Sequence, residues 1–289
     1  MKAEGVVVAT HGRHYRVEFS DGETRLCFPR GKKSEIACGD RVTVECDDGI
    51  HAGGGVIEKV GARDTLLYRS NAFRKKLIAA NLDQLIVLVA AEPSFSVELV
   101  TRCLVAAEDQ RIETLIVLNK RDLADKFAAA LSRLEAFRRA AYRIVPLSAI
   151  RGAEEMRPYL AGRSSLLVGQ SGMGKTTLIN ALFPEANAAT REISDALDSG
   201  RHTTTFSALY RLDAASSLID SPGLQDFGLK HLSFGDVERA FPDFSPFVRE
   251  CRFHDCRHDR EPDCAIRAAL ERGEIAEERY AAFRSIVND

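Results

Sequence analysis

No apolar run in this chain is long enough to cross a bilayer. The longest candidate, residues 85–91, falls far short of the roughly 20 residues that a membrane helix needs. No secretory leader is expected either, since residues 1–10 have too short an apolar core and no cleavage pattern. Charge of one sign is not in excess. With 40 basic and 42 acidic residues the net charge is −2, so any nucleic-acid partner would have to be met by local patches. A paired cysteine framework is not favoured, because the seven cysteines are odd in number and three crowd between Cys251 and Cys264. That usage suits reduced thiols and a metal in the cytoplasm. What remains is an ordinary globular chain. An apolar content of 45% supports normal cores, and 289 residues suggest two or three domains.

The strongest motif present is Gly169-Gln170-Ser171-Gly172-Met173-Gly174-Lys175-Thr176-Thr177. It fits G-x-x-x-x-G-K-[ST], and it stands between a short apolar run at 164–168 and helical apolar spacing at 177–183. Strand, glycine loop and helix are the context that a phosphate-binding loop needs. Its glycines let backbone N–H groups turn inward toward phosphate oxygens, and the helix N-terminus adds partial positive charge. Lys175 is placed to reach the β- and γ-phosphates and Thr176 to bind Mg²⁺.

Residues 1 to about 66 read as five short strands, at 6–9, 14–19, 24–28, 41–46 and 54–60, with glycine and aspartate turns between them. No helix intervenes, which suggests a small closed barrel such as an OB-fold. Its one tight basic cluster is Arg30, Lys32 and Lys33. From residue 66 strands and helices alternate. Strands are expected at 83–89, 114–118, 143–147, 164–168, 206–212 and 217–220, and helices at 96–110, 123–141 and 177–183. Ser96 is a natural N-cap. This alternation implies a doubly wound α/β domain with ligands at the carboxyl ends of its strands.

Three signals sit at those ends. After the 114–118 strand comes Asn119-Lys120-Arg121-Asp122, an N-K-x-D string. A carboxylate at Asp122 matches the N1–H and 2-amino group of guanine, and adenine offers neither; polar matching of this kind can discriminate by roughly 10⁴-fold. Asn119 can brace the loops, the Lys120 stem can lie along the purine, and after the next strand Ser148-Ala149 can offer the Ala149 N–H to guanine O6. After the phosphate loop, Gly200-Arg201-His202-Thr203-Thr204-Thr205 has the character of a switch, with a threonine such as Thr204 completing the Mg²⁺ shell. Finally Asp220-Ser221-Pro222-Gly223 places a carboxylate for Mg²⁺ and an N–H for the γ-phosphate. Guanine-binding enzymes ordinarily carry the phosphate loop first and N-K-x-D late. The order here is a circular permutation, so the second switch runs directly into whatever follows Asp226.

The tail from 233 to 289 holds Cys251, Cys256, His258 and Cys264, spaced C-x₄-C-x-H-x₅-C. Three thiolates and one imidazole make a closed structural Zn²⁺ set, and a metal staple suits so small a unit. His254 is expected outside the shell. Helices are expected at 234–241, 265–271 and 274–287.

Together these motifs resemble the bacterial ribosome small-subunit-dependent GTPase A family, and the likeness covers nearly the whole chain. The resemblance implies a multidomain protein: an N-terminal OB-fold β-barrel (1–66), a central permuted α/β GTPase domain (67–232) and a C-terminal α-helical zinc-binding domain (233–289). It also implies GTP hydrolysis to GDP and phosphate, stimulated by the small ribosomal subunit during its late maturation. Mg²⁺ and one Zn²⁺ are the expected cofactors, the subunit and its rRNA the expected partners, and a cytoplasmic monomer the expected state. The alternatives are a GTPase switch for a protein partner and an RNA-binding module with a structural nucleotide site. Lys175, His202 and Gly223 are the expected catalytic residues. His202 is assigned to water, because Leu224 stands where Ras-like enzymes place a water-orienting glutamine.

Overall fold

The computed structural model describes residues 2–31, 35–46, 54–70, 75–184, 207–222 and 227–289. The first five strands are β1 (Lys2–His11), β2 (His14–Phe19), β3 (Thr24–Pro29), β4 (Arg41–Cys46) and β5 (Gly54–Val60). They run in the order β1-β2-β3-β5-β4, and β4 returns to pair with β1, so the sheet closes. That closure and the parallel β3–β5 pair make the expected five-stranded barrel of OB type. Val7, Tyr15, Val17, Cys27, Val42, Val44, Cys46 and Ile57 fill it. Strand β1 is much longer than its apolar stretch, because it pairs with β4 through residues 2–6 and with β2 from Gly5 onward. At the crossing a Cβ on Gly5 would lie 2.5 Å from Val17 Cγ1, so glycine is the residue that fits.

Next comes a hairpin that the sequence pattern did not reveal, β6 (Leu66–Ser70) with β7 (Lys75–Ala80). The α/β unit follows with β8 (Gln84–Ala90), β9 (Glu113–Asn119), β10 (Ile144–Pro146), β11 (Ser164–Val168), β12 (Ser207–Arg211) and β13 (Ser217–Asp220). Strands β10, β9, β8, β11 and β13 lie side by side in parallel. Every residue of β8 is buried, as a central parallel strand requires. The order reverses between β8 and β11, which is where such a sheet opens a crevice for ligands.

Helix α1 (Val97–Asp109) is capped by Ser96, whose Oγ accepts from Leu99 N. The single helix expected over 123–141 is two, α2 (Ala124–Arg133) and α3 (Glu135–Arg139). The chain tightens at Leu134, whose N–H turns to Leu131 O, and both Leu134 and Phe137 are fully buried. Short α4 (Arg157–Leu160) leads to β11, and α5 (Lys175–Leu182) follows it.

One sheet runs through barrel and α/β unit alike. Strand β12 pairs antiparallel with β13 on one side and with β1 on the other, matching Ala208 to both Asp220 and Ala9. The hairpin holds the chain beyond Asp220: Ser70 N donates to Gly228 O (3.0 Å), Ser70 Oγ contacts His231 Nδ1 (2.8 Å), and Tyr68 packs on the His231 ring.

The C-terminal part consists of α6 (Phe234–Arg239), α7 (Ala265–Glu271) and α8 (Glu277–Val287). Ser233 and Asp236 cap α6 reciprocally. Helix α8 packs along α1, where Arg102 pairs with Asp289 (2.9 Å) and Ser285 Oγ donates to Glu98 (2.8 Å). At the centre of this junction Arg279 is fully buried. Its guanidinium bonds both oxygens of Asp243 (3.0 and 2.8 Å) and lies over the rings of Phe137, Tyr142 and Phe241. Removing one partner of a buried ion pair strands the other charge. Arg279→Met is expected to destabilise the protein by about 3–5 kcal/mol, read as a lower denaturant midpoint, with Asp243→Leu in the same chain recovering a large part.

Candidate nucleotide site and metal centre

The phosphate loop leaves β11 against the end of β8. A Cβ on Gly169 would stand 2.5 Å from Leu88 O, so only glycine lets the backbone turn there. Gly174 has φ +94 and caps α5 without a side chain. A Cβ there would come within 2.4 Å of Asn119 Nδ2, and that amide uses the space to donate to Met173 O at 3.0 Å. The free N–H groups at the start of α5 therefore face the crevice, with Ser171, Gly172 and Thr176 exposed around them and Thr177 half-buried. Gln170 Oε1 accepts from Ser96 N (2.9 Å), tying the loop to the cap of α1.

Lys175 Nζ donates to Gly169 O (2.7 Å) and Gln170 O (3.3 Å). Burial lowers its pKa and Asp220 opposes the shift. Asp220 ends β13 and is 7% exposed, and its Oδ1 has no hydrogen-bond partner among the described residues. A buried carboxylate oxygen without a partner, a lysine folded back on its own loop and a glycine-lined cradle fit a magnesium-bound nucleotide phosphate. Lys175, Thr176 and Asp220 are the residues that would hold it.

The base side is built from the loops after β9 and β10. Asn119 is buried; besides its bond to the phosphate loop, its Oδ1 accepts from Ala149 N at 3.0 Å. A base oxygen would therefore share the Ala149 N–H with Asn119. Lys120 takes a left-handed conformation, φ 65, which turns the chain toward Asp122. Ser148 Oγ donates to Asp122 Oδ1 at 2.5 Å, and that bond holds the carboxyl below its ordinary pKa. An open cleft beside it is lined by Arg121, Asp122, Ser148, Arg151, Gly152, Glu154 and Glu155. The crevice thus gathers Asn119, Lys120, Asp122, Ser148, Ala149, residues 169–177 and Asp220. His202, Thr204 and Gly223 lie outside the described residues.

The tail's ligand set also comes together. The donor atoms of Cys251, Cys256, His258 and Cys264 lie within 4.8 Å of one another. His258 Nδ1 is 3.7 Å from Cys251 Sγ and 3.5 Å from Cys264 Sγ. Bond lengths of about 2.3 Å to sulfur and about 2.0 Å to nitrogen give a tetrahedral edge of about 3.5 Å, so the arrangement fits zinc. Burial pushes the Cys256 and Cys264 thiols up. The spacing motif did not point to Glu238, which meets the other ring nitrogen of His258 at 2.7 Å.

A family model described as RsgA GTPase matches residues 60–230. The chain belongs to the RsgA GTPase family. A Burkholderia pseudomallei protein, "Small ribosomal subunit biogenesis GTPase RsgA", is 51% identical over 294 residues, covering 100% of this chain and 92% of that one. A relative of the same description from Paraburkholderia phytofirmans is 52% identical, covering 99% and 92%. The crystal structure of YjeQ from Thermotoga maritima superposes with a TM-score of 0.74 at 32% identity, covering 100% of this chain and 98% of that one. YloQ, titled a circularly permuted GTPase, has a TM-score of 0.68 at 24% identity, covering 100% and 94%, and shares the fold. The chain is accordingly a GTP-hydrolysing enzyme using guanine nucleotide and Mg²⁺, with a Cys₃His set consistent with one zinc.

Burial pushes the Asp220 carboxyl up to about 7, against the pull of Lys175 and the Ser221 N–H. In the unfolded chain such a group titrates near pH 4 (about 3.9). Its ionisation therefore costs the fold nothing below that value, costs progressively more between about pH 4 and 7, and costs a constant amount above. In nucleotide- and magnesium-free protein, Asp220→Asn is expected to raise stability at pH 8 by up to about 4 kcal/mol, and to leave it unchanged near pH 4. Thermal melts across this range check the sign.

Proposed function

We propose that this GTPase acts on the small ribosomal subunit during its late maturation and that the subunit stimulates its turnover. Its relatives' description supports the target. The observation that carries the guanine reading is Asn119, which bonds the phosphate loop and the base loop at once. Asp122 reads the guanine edge, with Ser148 holding its carboxylate and Lys120 along the purine. The amides of 169–177 and Lys175 receive the phosphates. Bound magnesium supplies charge neutralisation for the transferring phosphoryl group. Thr176, Asp220 through water and a switch threonine such as Thr204 would hold the ion, and the Gly223 N–H would meet the γ-phosphate. His202 positions the attacking water, and slow turnover in the free protein follows from Leu224.

The same reading assigns 1–66 to the barrel, 67–232 to the GTPase domain and 233–289 to the zinc domain. It makes rRNA a contact of barrel and tail, and the protein a cytoplasmic monomer. Among the described residues no helix is long and apolar enough to cross a membrane.

Hydrolysis of GTP and ATP, each with and without purified small subunits, tests this directly. GTP turnover should rise with subunits and ATP should stay intact. His202→Ala should cut the stimulated rate by about 100-fold or more with little change in GTP affinity; an unchanged rate removes His202 from the mechanism. Asp122→Asn should weaken GTP binding by up to about 10⁴-fold and shift preference toward xanthine nucleotides, as competition binding would show. A variant that still prefers GTP contradicts the base assignment.

A further inference from the structure

The metal histidine is held from behind by a residue outside the ligand motif. Nδ1 of His258 faces the sulfurs, 3.7 Å from Cys251 and 3.5 Å from Cys264. A ligating nitrogen must present its lone pair, so the ring proton sits on Nε2. Nε2 is 2.7 Å from Glu238 Oε1, which accepts it. The imidazole is 1% exposed and packs among Phe234, Phe244 and Phe283, with ring centroids 5.9, 6.5 and 6.0 Å away. The backbone of His258 takes φ 56, and its carbonyl accepts from Tyr280 OH at 2.5 Å.

We propose that Glu238 is a positioning residue of the metal centre. Its carboxylate selects the tautomer of His258 that points Nδ1 at the metal and makes that nitrogen a stronger donor. Glu238 lies on α6, the helix entered by the chain that leaves Asp220 and passes the β6–β7 hairpin. One hydrogen bond therefore fastens that helix to the metal shell. The proposal rests on the zinc reading of the Cys₃His set.

The test is zinc affinity of the full-length protein, measured by competition with a chromogenic chelator, with the parent measured first. Glu238→Ala is expected to weaken zinc binding by about 10–100-fold. Glu238→Gln keeps an acceptor oxygen without the charge and should recover most of that loss. In the cobalt-loaded protein the Gln variant should keep the parent's visible bands and the Ala variant should lose intensity. Melts in excess chelator separate positioning from packing: the Ala variant should match the parent once metal is stripped. Parent-like zinc affinity in Glu238→Ala, or an equal loss of stability with and without metal, would overturn the proposal. A parent that takes up no zinc would overturn the metal reading itself, and the proposal with it.

Discussion

One buried amide holds the nucleotide site together. Asn119 ends β9, yet it reaches the phosphate loop through Met173 O and the base loop through Ala149 N. It can do so only because Gly174 has no Cβ to fill the space that the amide occupies. The segments proposed to receive the phosphates and the base leave the sheet on opposite sides of the point where the strand order reverses, and this side chain bonds both. A buried amide with both ends satisfied is stable, while losing either partner leaves a costly orphan. Three loops are thereby held in one geometry before any ligand arrives.

The permutation sets what lies next to Asp220 in the chain and in the sheet. Asp220 lies opposite Ala208, which pairs in turn with Ala9 of the barrel. Beyond Asp220 the chain is gripped by the β6–β7 hairpin at Gly228, Leu229 and His231, and then enters α6. Barrel and metal centre are thus each one short connection from the carboxylate. Helix α1 adds a third link: its cap is bonded to Gln170, and its body carries the C-terminal helix through Glu98, Thr101 and Arg102.

Much of this was legible in the residues themselves. Four of the five barrel strands follow the alternation read from the chain to within a residue, because one face of each is buried. The parallel strands announce themselves as continuous apolar runs, β8 above all. The metal set follows from spacing alone, since four ligands within fourteen residues must be near one another. Pairing partners were not legible. Nothing near Thr10 or Ser207 tells that β1 and β12 join, because that contact is set by how two units pack. The β6–β7 hairpin was hidden by Arg69, Lys75 and Lys76, which interrupt the apolar alternation at its turn end. Glu238 looks like any acidic residue on a helix until the fold brings it to His258.

The central claim is that this crevice takes up a guanine nucleotide with magnesium. Titration calorimetry of the intact protein with a non-hydrolysable GTP analogue, with and without Mg²⁺, and with the matching ATP analogue, tests it most directly. The account predicts one-to-one, magnesium-dependent uptake of the guanine compound and none of the adenine compound. Absence of magnesium-dependent guanine uptake, or equal uptake of both, would contradict it.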